Sequence, residues 1–266
     1  MLNGRPLSLT ARNLFASSNY VAVARAVRVY EQPLQDLNRY ILGGGTYPCS
    51  IRLRTSLGPQ TVTLFCSHDA ITVHEIFCRH DYWFATSPQV VVDIGSNIGI
   101  SGLYFLTRSP SSYCYLYEPD QRNIEKLQIN LAPFRGRYTL YDTAVADREG
   151  VLPFSREPTG RYGSLDPAPW LQSKAETVPV QVEHINTALE RALSRADTID
   201  LLKVDTESSE LATVQAIDPE LRDRIRHIVI ESRDHRIALE GFRTESQCDA
   251  VRFTNEKLTR KSYLSK

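Results

Sequence analysis

The apolar pattern of this chain is densest at 90–94, where Val90, Val91, Val92 and Ile94 surround a single acid, Asp93. A run so short and so apolar fits a strand buried on both faces. From there the pattern changes period repeatedly. Helical spacing follows over 99–107, a strand over 113–118, a helix over 120–131 and a strand over 137–142. Further strands are read near 151–154 and over 177–182, and a helix over 186–194. A strand beginning at Ile199 carries Lys203 and Asp205, a helix runs through Leu211, Val214 and Ile217, and a last strand spans 225–231. Strands alternating with helices predict an α/β fold, a doubly wound and mostly parallel sheet with helices on both faces.

Upstream the pattern is different. Residues 1 to about 45 read as helical, with Ser8 or Thr10 as cap of a helix reaching Val29 and a second helix over 34–42 stopped by three glycines. Tyr20, Val23, Val27 and Tyr30 form one stripe, read as core or as contact in a homodimer. Segments 49–57 and 61–66 read as a hairpin around Gly58 and Pro59, and 68–80 as a helix. His74, His80 and Asp81 in that stretch are read as packing residues. The division expected is an accessory segment, 1–85, and a main domain, 86–266. Residues 155–175 form a long loop rich in proline and glycine, with Arg156, Arg161, Tyr162 and Trp170. A loop of that length is read either as a lid with affinity for a polar or anionic acceptor or as a surface insertion.

Chemistry concentrates where the strands end. Gly95 and Gly99 bracket a tight turn after the first strand, and glycine permits both unusual dihedrals and close approach of a ligand. The following helix adds unpaired N–H groups to the same crevice. A dinucleotide site usually reads G-x-G-x-x-G; here the pattern is D-x-G-x-x-x-G. Asp93 would repel a pyrophosphate and attract a cation. S-adenosylmethionine, with a sulfonium, an ammonium and no phosphate, suits such a turn better than NAD. Glu118 ends the second strand where a ribose-binding carboxylate belongs. Asp205 and Glu231 end two more, with Glu207 just past the first of them. A purely structural sheet has no need of four acids along one edge.

Composition narrows the class. The 266 residues carry zero net charge, which implies no broad basic face for nucleic acid. Five scattered cysteines without C-x-x-C spacing fit reduced thiols, and no apolar run suggests a signal peptide or a membrane span. A cytoplasmic protein is expected, acting on a small-molecule or glycan acceptor rather than on nucleic acid or a membrane.

The segments 54–58, 67–82, 90–105, 115–120, 142–154, 163–165, 199–217 and 228–232 resemble the FkbM-type methyltransferases, a branch of the S-adenosylmethionine-dependent Rossmann-like enzymes. Most selective is Lys203-x-Asp205-x-Glu207-x-x-Glu210 downstream of Asp93-x-Gly95-x-Asn97-x-Gly99. One departure stands out: the family usually has Glu-Gly-Ala-Glu where this chain has Glu207-Ser208-Ser209-Glu210. The resemblance implies that Asp93 and the turn Gly95, Ser96, Asn97 and Gly99 hold the methionine part, Glu118 the ribose, and Asp142 or the Ala144 backbone the adenine. Asp205 falls between cofactor and acceptor. Lys203, Asp205, Glu207, His235 and Glu231 are candidates for the base or its electrostatic partner. In related enzymes, acids at the ends matched by Asp205 and Glu231 bind a divalent metal; none is expected here. O-methylation of a sugar or natural-product hydroxyl leads, with carboxyl or N-methylation, an NAD-dependent oxidoreductase and a non-catalytic Rossmann-like binding protein as alternatives.

Overall fold

The computed structural model describes residues 17–168, 175–232, 236–247 and 249–259. Helices α1 (Ser17–Val29) and α2 (Pro33–Leu42) precede a hairpin of β1 (Cys49–Thr55) and β2 (Gly58–Leu64). Helix α3 (Ser67–Val73) runs on into a π-helical turn, His74–Arg79. Then come β3 (Val90–Ile94), α4 (Ile100–Arg108), β4 (Tyr113–Tyr117), α5 (Gln121–Asn130), β5 (Tyr138–Tyr141), β6 (Ala144–Ala146), β7 (Gly150–Arg156) and β8 (Glu176–His184). The chain continues with α6 (Ile185–Leu193), β9 (Ile199–Val204), α7 (Glu210–Gln215), α8 (Pro219–Arg222), β10 (Ile225–Glu231), β11 (Phe242–Gln247) and β12 (Ala250–Asn255).

The main sheet has seven strands in the order β11-β12-β10-β9-β3-β4-β5. The five from β10 to β5 are parallel, and β12 and β11 run antiparallel at one edge. Strand alternation sorts the core into two layers. Val91, Leu201 and Val229 pack with α4, α5 and the N-terminal helices. Val92, Ile94, Leu202, Val204 and Ile230 pack with α6 and α7. The parity that puts Val91 and Leu201 in the first layer puts Asp93 and Lys203 there too, opposite each other in register. A second sheet, β6-β8-β7, carries the loop that follows β7.

Four expectations change. The hairpin turns at Ser56 and Leu57, because Thr55 pairs with Gly58 and Arg54 with Pro59. In α1 the buried positions are Ala22, Ala26 and, just past the helix, Tyr30, while Val23 and Val27 of the anticipated stripe face solvent. Small alanines let this helix approach its neighbour closely, so the valines turn outward. Tyr20's side chain, Ser8 and Thr10 lie outside the described residues. The region read as a loop from 155 begins inside β7, and Ser155 and Ser164 then close on each other through two backbone hydrogen bonds of 2.8 and 2.9 Å. Finally, β11 and β12 have no counterpart in the sequence reading: β11 is mostly polar and exposed, and shows no clean alternation.

β12 locks the N-terminal segment onto the sheet. The buried guanidinium of Arg252 donates to the carbonyl oxygens of His80 (2.7 Å) and Asp81 (2.7 and 3.2 Å). Arg252→Ala is expected to lower the unfolding free energy by roughly 2–4 kcal/mol, since buried carbonyls lose charged donors. A urea midpoint close to that of the wild type would show that this clamp contributes little.

Candidate active site

The glycine turn is shaped by what stands behind it. Gly95 has φ 77°, and a Cβ there would lie 1.9 Å from the carbonyl oxygen of Asp205. The N–H groups of Gly95 and Ser96 both donate to the carbonyl of Tyr117 at 3.0 Å. Asn97 takes φ 48°, a region asparagine tolerates. Its N–H donates to Glu118 Oε2 at 2.9 Å. Gly99, at φ 84°, caps α4 against Leu127. The turn forms one wall of a cleft of about 1240 Å³, open mouth included, at the C-terminal ends of the parallel strands.

Glu118 lines this cleft and is itself buried. Its Oε1 accepts from Asp120 N–H (2.9 Å) and from Asn123 Nδ2 (3.3 Å). Burial pushes its pKa up to about 7, against these donors, which pull it down. In the same cleft lining, Asn123 Oδ1, next to Glu118, and Thr143 Oγ1 are buried without a hydrogen-bond partner. A narrow glycine cradle, a buried carboxylate and two unsatisfied polar atoms fit S-adenosylmethionine: Glu118 would take the ribose, and Thr143 and the Ala144 backbone would face the base. Asp142, expected near the adenine, is exposed and outside the cleft, because the chain turns outward between β5 and β6.

Asp93 is placed differently from the expectation. It has no exposed surface. Its Oδ2 accepts from Ser101 Oγ at 2.6 Å, and its Oδ1 lies 3.0 Å from Lys203 Nζ. It therefore sits beneath the turn and reaches the cleft only through Lys203. The same ammonium donates to the carbonyl of Gly95 at 2.7 Å and lies 3.4 Å from Asp205 Oδ2. Burial alone would lower the Lys203 pKa; the charges of Asp93 and Asp205 outweigh it and hold the pKa above its ordinary value.

Asp205, Glu207 and Glu231 each bring a carboxylate oxygen within 4.8 Å of the others. They gather in the cleft lining at the ends of β9 and β10. Loss of hydration and the charge of Asp205 raise Glu207 to about 8. Glu231 opens onto the water of the cleft, yet desolvation by surrounding protein and its two acidic neighbours raise it well above the ordinary range. Such spacing would also serve a hard divalent cation, but protons held on two of the three acids satisfy the same geometry. The turn survives without the expected glycine: Glu207 takes φ 56° and Ser208 φ 127°. The Glu210 carboxylate holds it by accepting from Thr206 N–H (2.9 Å) and Ser208 N–H (3.1 Å).

The loop after β7 crosses the cleft. Gly160 offers its carbonyl to both Asn97 Nδ2 and Asn123 Nδ2 at 2.9 Å. Arg161 lines the cleft and donates to the carbonyl of His68 (3.1 Å), with Glu75 3.4 Å away. Arg156 is engaged elsewhere, 3.3 Å from Asp120 and 3.0 Å from Glu176, and so is not in the cleft. Tyr162 also lies off the cleft lining, beside the guanidinium of Arg161 and the ring of His68. Trp170 and His235 lie outside the described residues.

The model of the Methyltransferase FkbM domain matches residues 93–259. The chain belongs to the FkbM methyltransferase family. AMB antimetabolite synthetase AmbE of Pseudomonas aeruginosa is 24% identical over 220 residues, which cover 70% of this chain and 10% of AmbE. Methyltransferase sdnD of Sordaria araneosa is 27% identical over 190 residues, 59% of this chain and 72% of sdnD. 2-O-methyltransferase NoeI of Sinorhizobium fredii is 34% identical over 65 residues, 24% of this chain and 26% of NoeI. The chain thus spans about a tenth of the length of AmbE.

In this FkbM protein the N-terminal segment supplies much of the cleft that sequence reasoning left unassigned: Thr72, Glu75, Arg79 and Tyr82. The π-helical turn that carries Glu75 and Arg79 has no sequence signature of its own, although such turns are frequent at functional sites.

Two outcomes follow from the geometry. A carboxylate, not a carboxylic acid, accepts both hydroxyls of a ribose, so affinity for S-adenosylmethionine should rise with pH up to about 7, by roughly tenfold per unit below that pH. Folding runs the other way. Native Glu118 binds its proton more tightly than the unfolded chain does, so its contribution to stability is complete below about 4.5 and falls as pH rises to about 7. Calorimetry across this range on wild type and Glu118→Gln checks both, and a wild-type affinity flat in pH would remove Glu118 from the ribose. Ser208→Gly should relieve the strained φ and raise stability by about 1 kcal/mol, because the serine side chain is exposed and packs little. A lowered melting temperature would mean that the serine is held there by contacts worth more than the strain.

Proposed function

We propose that this methyltransferase methylates a hydroxyl oxygen on a neutral, polyol-like acceptor, a sugar or a hydroxylated natural product. The observation that carries the reading is the acid trio Asp205, Glu207 and Glu231 set within 4.8 Å on the acceptor side of the cofactor cleft. A hydroxyl must lose its proton as the new bond to carbon forms, and a carboxylate whose pKa is raised toward neutrality is a matched base. Glu207 is assigned that role, with Glu231 sharing its proton and Asp205 anchored to Lys203. The bound S-adenosylmethionine supplies a methyl group made electrophilic by its sulfonium. The chain's residues hold donor and acceptor in line, which provides much of the rate, and Glu207 takes the proton.

Charge supports the acceptor class. Eight carboxylates and three basic side chains line the cleft, and all three bases, Arg79, Arg161 and Lys203, already face acids. That balance favours neutral or cationic acceptors and counts against carboxylates and phosphates, hence against carboxyl methylation and nucleic acid. The 2-O-methyl specificity in the name of NoeI agrees with oxygen as the target. Within the accessory segment expected over 1–85, Thr72, Glu75, Arg79 and Tyr82 wall the side of the cleft read here as the acceptor's. A cytoplasmic setting is supported by free thiols at Cys49, Cys66, Cys78 and Cys114. Among the described residues no helix is long and apolar enough to cross a membrane. The outward valines of α1 are the surface on which a homodimer would form.

A panel of mono- and oligosaccharides and hydroxylated natural products, assayed with methyl-labelled S-adenosylmethionine, tests this directly. With a turned-over acceptor, kcat should rise with pH through about 8, because the base must be ionised to act. Glu207→Gln should lower kcat by roughly 10²-fold or more while cofactor affinity stays near that of the wild type. Chelator should leave the rate unchanged. Methylation of amines alone, or a Glu207→Gln variant with full turnover, would overturn the assignment.

A further inference from the structure

We propose that Tyr82 is a positioning residue: its hydroxyl and the Lys203 ammonium fix Asp205 as the acceptor within the acid trio, which leaves the shared proton on Glu207 and Glu231. The inference rests on reading that trio as the catalytic base. Tyr82 lines the cleft from the N-terminal segment and touches the trio directly. It is nearly buried, and its hydroxyl donates to Asp205 Oδ2 at 3.4 Å. Lys203 Nζ approaches the same oxygen at 3.4 Å and stands 5.7 Å from the centroid of the Tyr82 ring. Two donors on one oxygen favour the anion at that site over its neighbours. The other groups facing Asp205 pull in both directions. Asp93 lies behind Lys203, Glu207 and Glu231 crowd the open side, and the more distant Arg161 adds positive charge. Asp81 and Glu231 also act on Tyr82 itself. Glu231, raised well above its ordinary range, donates its proton toward Asp205.

The tyrosine is held stiffly enough to do this. Arg252 fixes the carbonyls of His80 and Asp81 immediately before it, and Arg79 pairs with the Asp81 carboxylate. A phenol held by its own backbone can present its hydroxyl to one oxygen without loss of side-chain freedom at each turnover.

The test needs no acceptor, so failure of this assignment and failure of the O-methylation reading are seen separately. Protein labelled with 13C at the glutamate carboxyl carbon is saturated with S-adenosylhomocysteine and titrated by NMR. In Tyr82→Phe the Glu207 and Glu231 curves should move to lower pH by roughly half a unit or more, since Asp205 then takes a larger share of the proton. Glu118, outside the trio, should keep its curve. 3-Fluorotyrosine at position 82 keeps the ring and the hydroxyl and makes a stronger donor; it should move the Glu207 and Glu231 curves the opposite way. Unmoved curves in both proteins, or a Glu118 curve displaced as far as the others, would overturn the proposal.

Discussion

An ammonium almost out of reach of water stands between two carboxylates at the centre of the sheet, and the cleft is assembled around it. Lys203 is 2% exposed and Asp93 is fully buried, so neither charge survives there without the other. Their register across β3 and β9 makes them direct neighbours. The remaining hydrogen-bonding capacity of Lys203 is spent on the Gly95 carbonyl and on Asp205. One ion thereby ties the end of β3, the glycine turn and the end of β9 into a single geometry. Gly95 completes it from the other side, since the Asp205 carbonyl leaves no room for a Cβ. Asp93 matters to the cofactor because it fixes the lysine that fixes the turn, which differs from the direct contact its place in the motif suggests.

The other acids of the cleft meet the same burial penalty by other means. Glu118 in the cleft lining and Glu210 in the turn next to it accept backbone N–H bonds, which offset part of the rise that burial imposes on both. Glu207 and Glu231 are left with acidic neighbours, and burial with that crowding raises Glu207 to about 8 and Glu231 well above the ordinary range. These are three different solutions to one problem, and each has a chemical consequence. An acid locked by lysine is structural, an acid bound by amides is placed to accept a diol once ionised, and an acid crowded by other acids is poised to exchange its proton.

The parallel sheet was legible because its strands are continuous apolar runs that end in acids, a pattern local in sequence. The order of the acids along the sheet edge was legible for the same reason. What was not legible depended on distance. Nothing in the run of Val90 to Ile94 says that Lys203 neutralises Asp93, since the pair is made by strands separated by three helices, two other strands of the main sheet and the whole second sheet. Arg156 and Arg161 look equivalent in the sequence. They differ because Asp120 and Glu176 capture the first, and the closure between Ser155 and Ser164 carries the second into the cleft. Val23 and Val27 have the spacing of a buried stripe, yet the alanines one position earlier make the closer contact. β11 was missed because an edge strand with a polar face has little periodicity to read.

The turn at Glu207 and Ser208 shows how the three walls depend on one another. Two successive non-glycine residues at positive φ carry strain of order 1–3 kcal/mol each, which persists only where the surroundings over-determine the backbone. They do so here. Glu210 gathers the N–H groups of Thr206 and Ser208, and Ser164 Oγ donates to the Glu207 carbonyl at 2.7 Å. Ser164 belongs to the loop whose Gly160 carbonyl is bound to the glycine turn, and whose Arg161 reaches the N-terminal helix α3. The position of the acid assigned as base is therefore set jointly by β9, by the loop after β7 and by the segment that precedes the sheet. A glycine at 208 would let this turn form without such support. With serine there, the turn draws its stability from the docked loop, so the geometry of the acceptor side is coupled to the closure of the cofactor side.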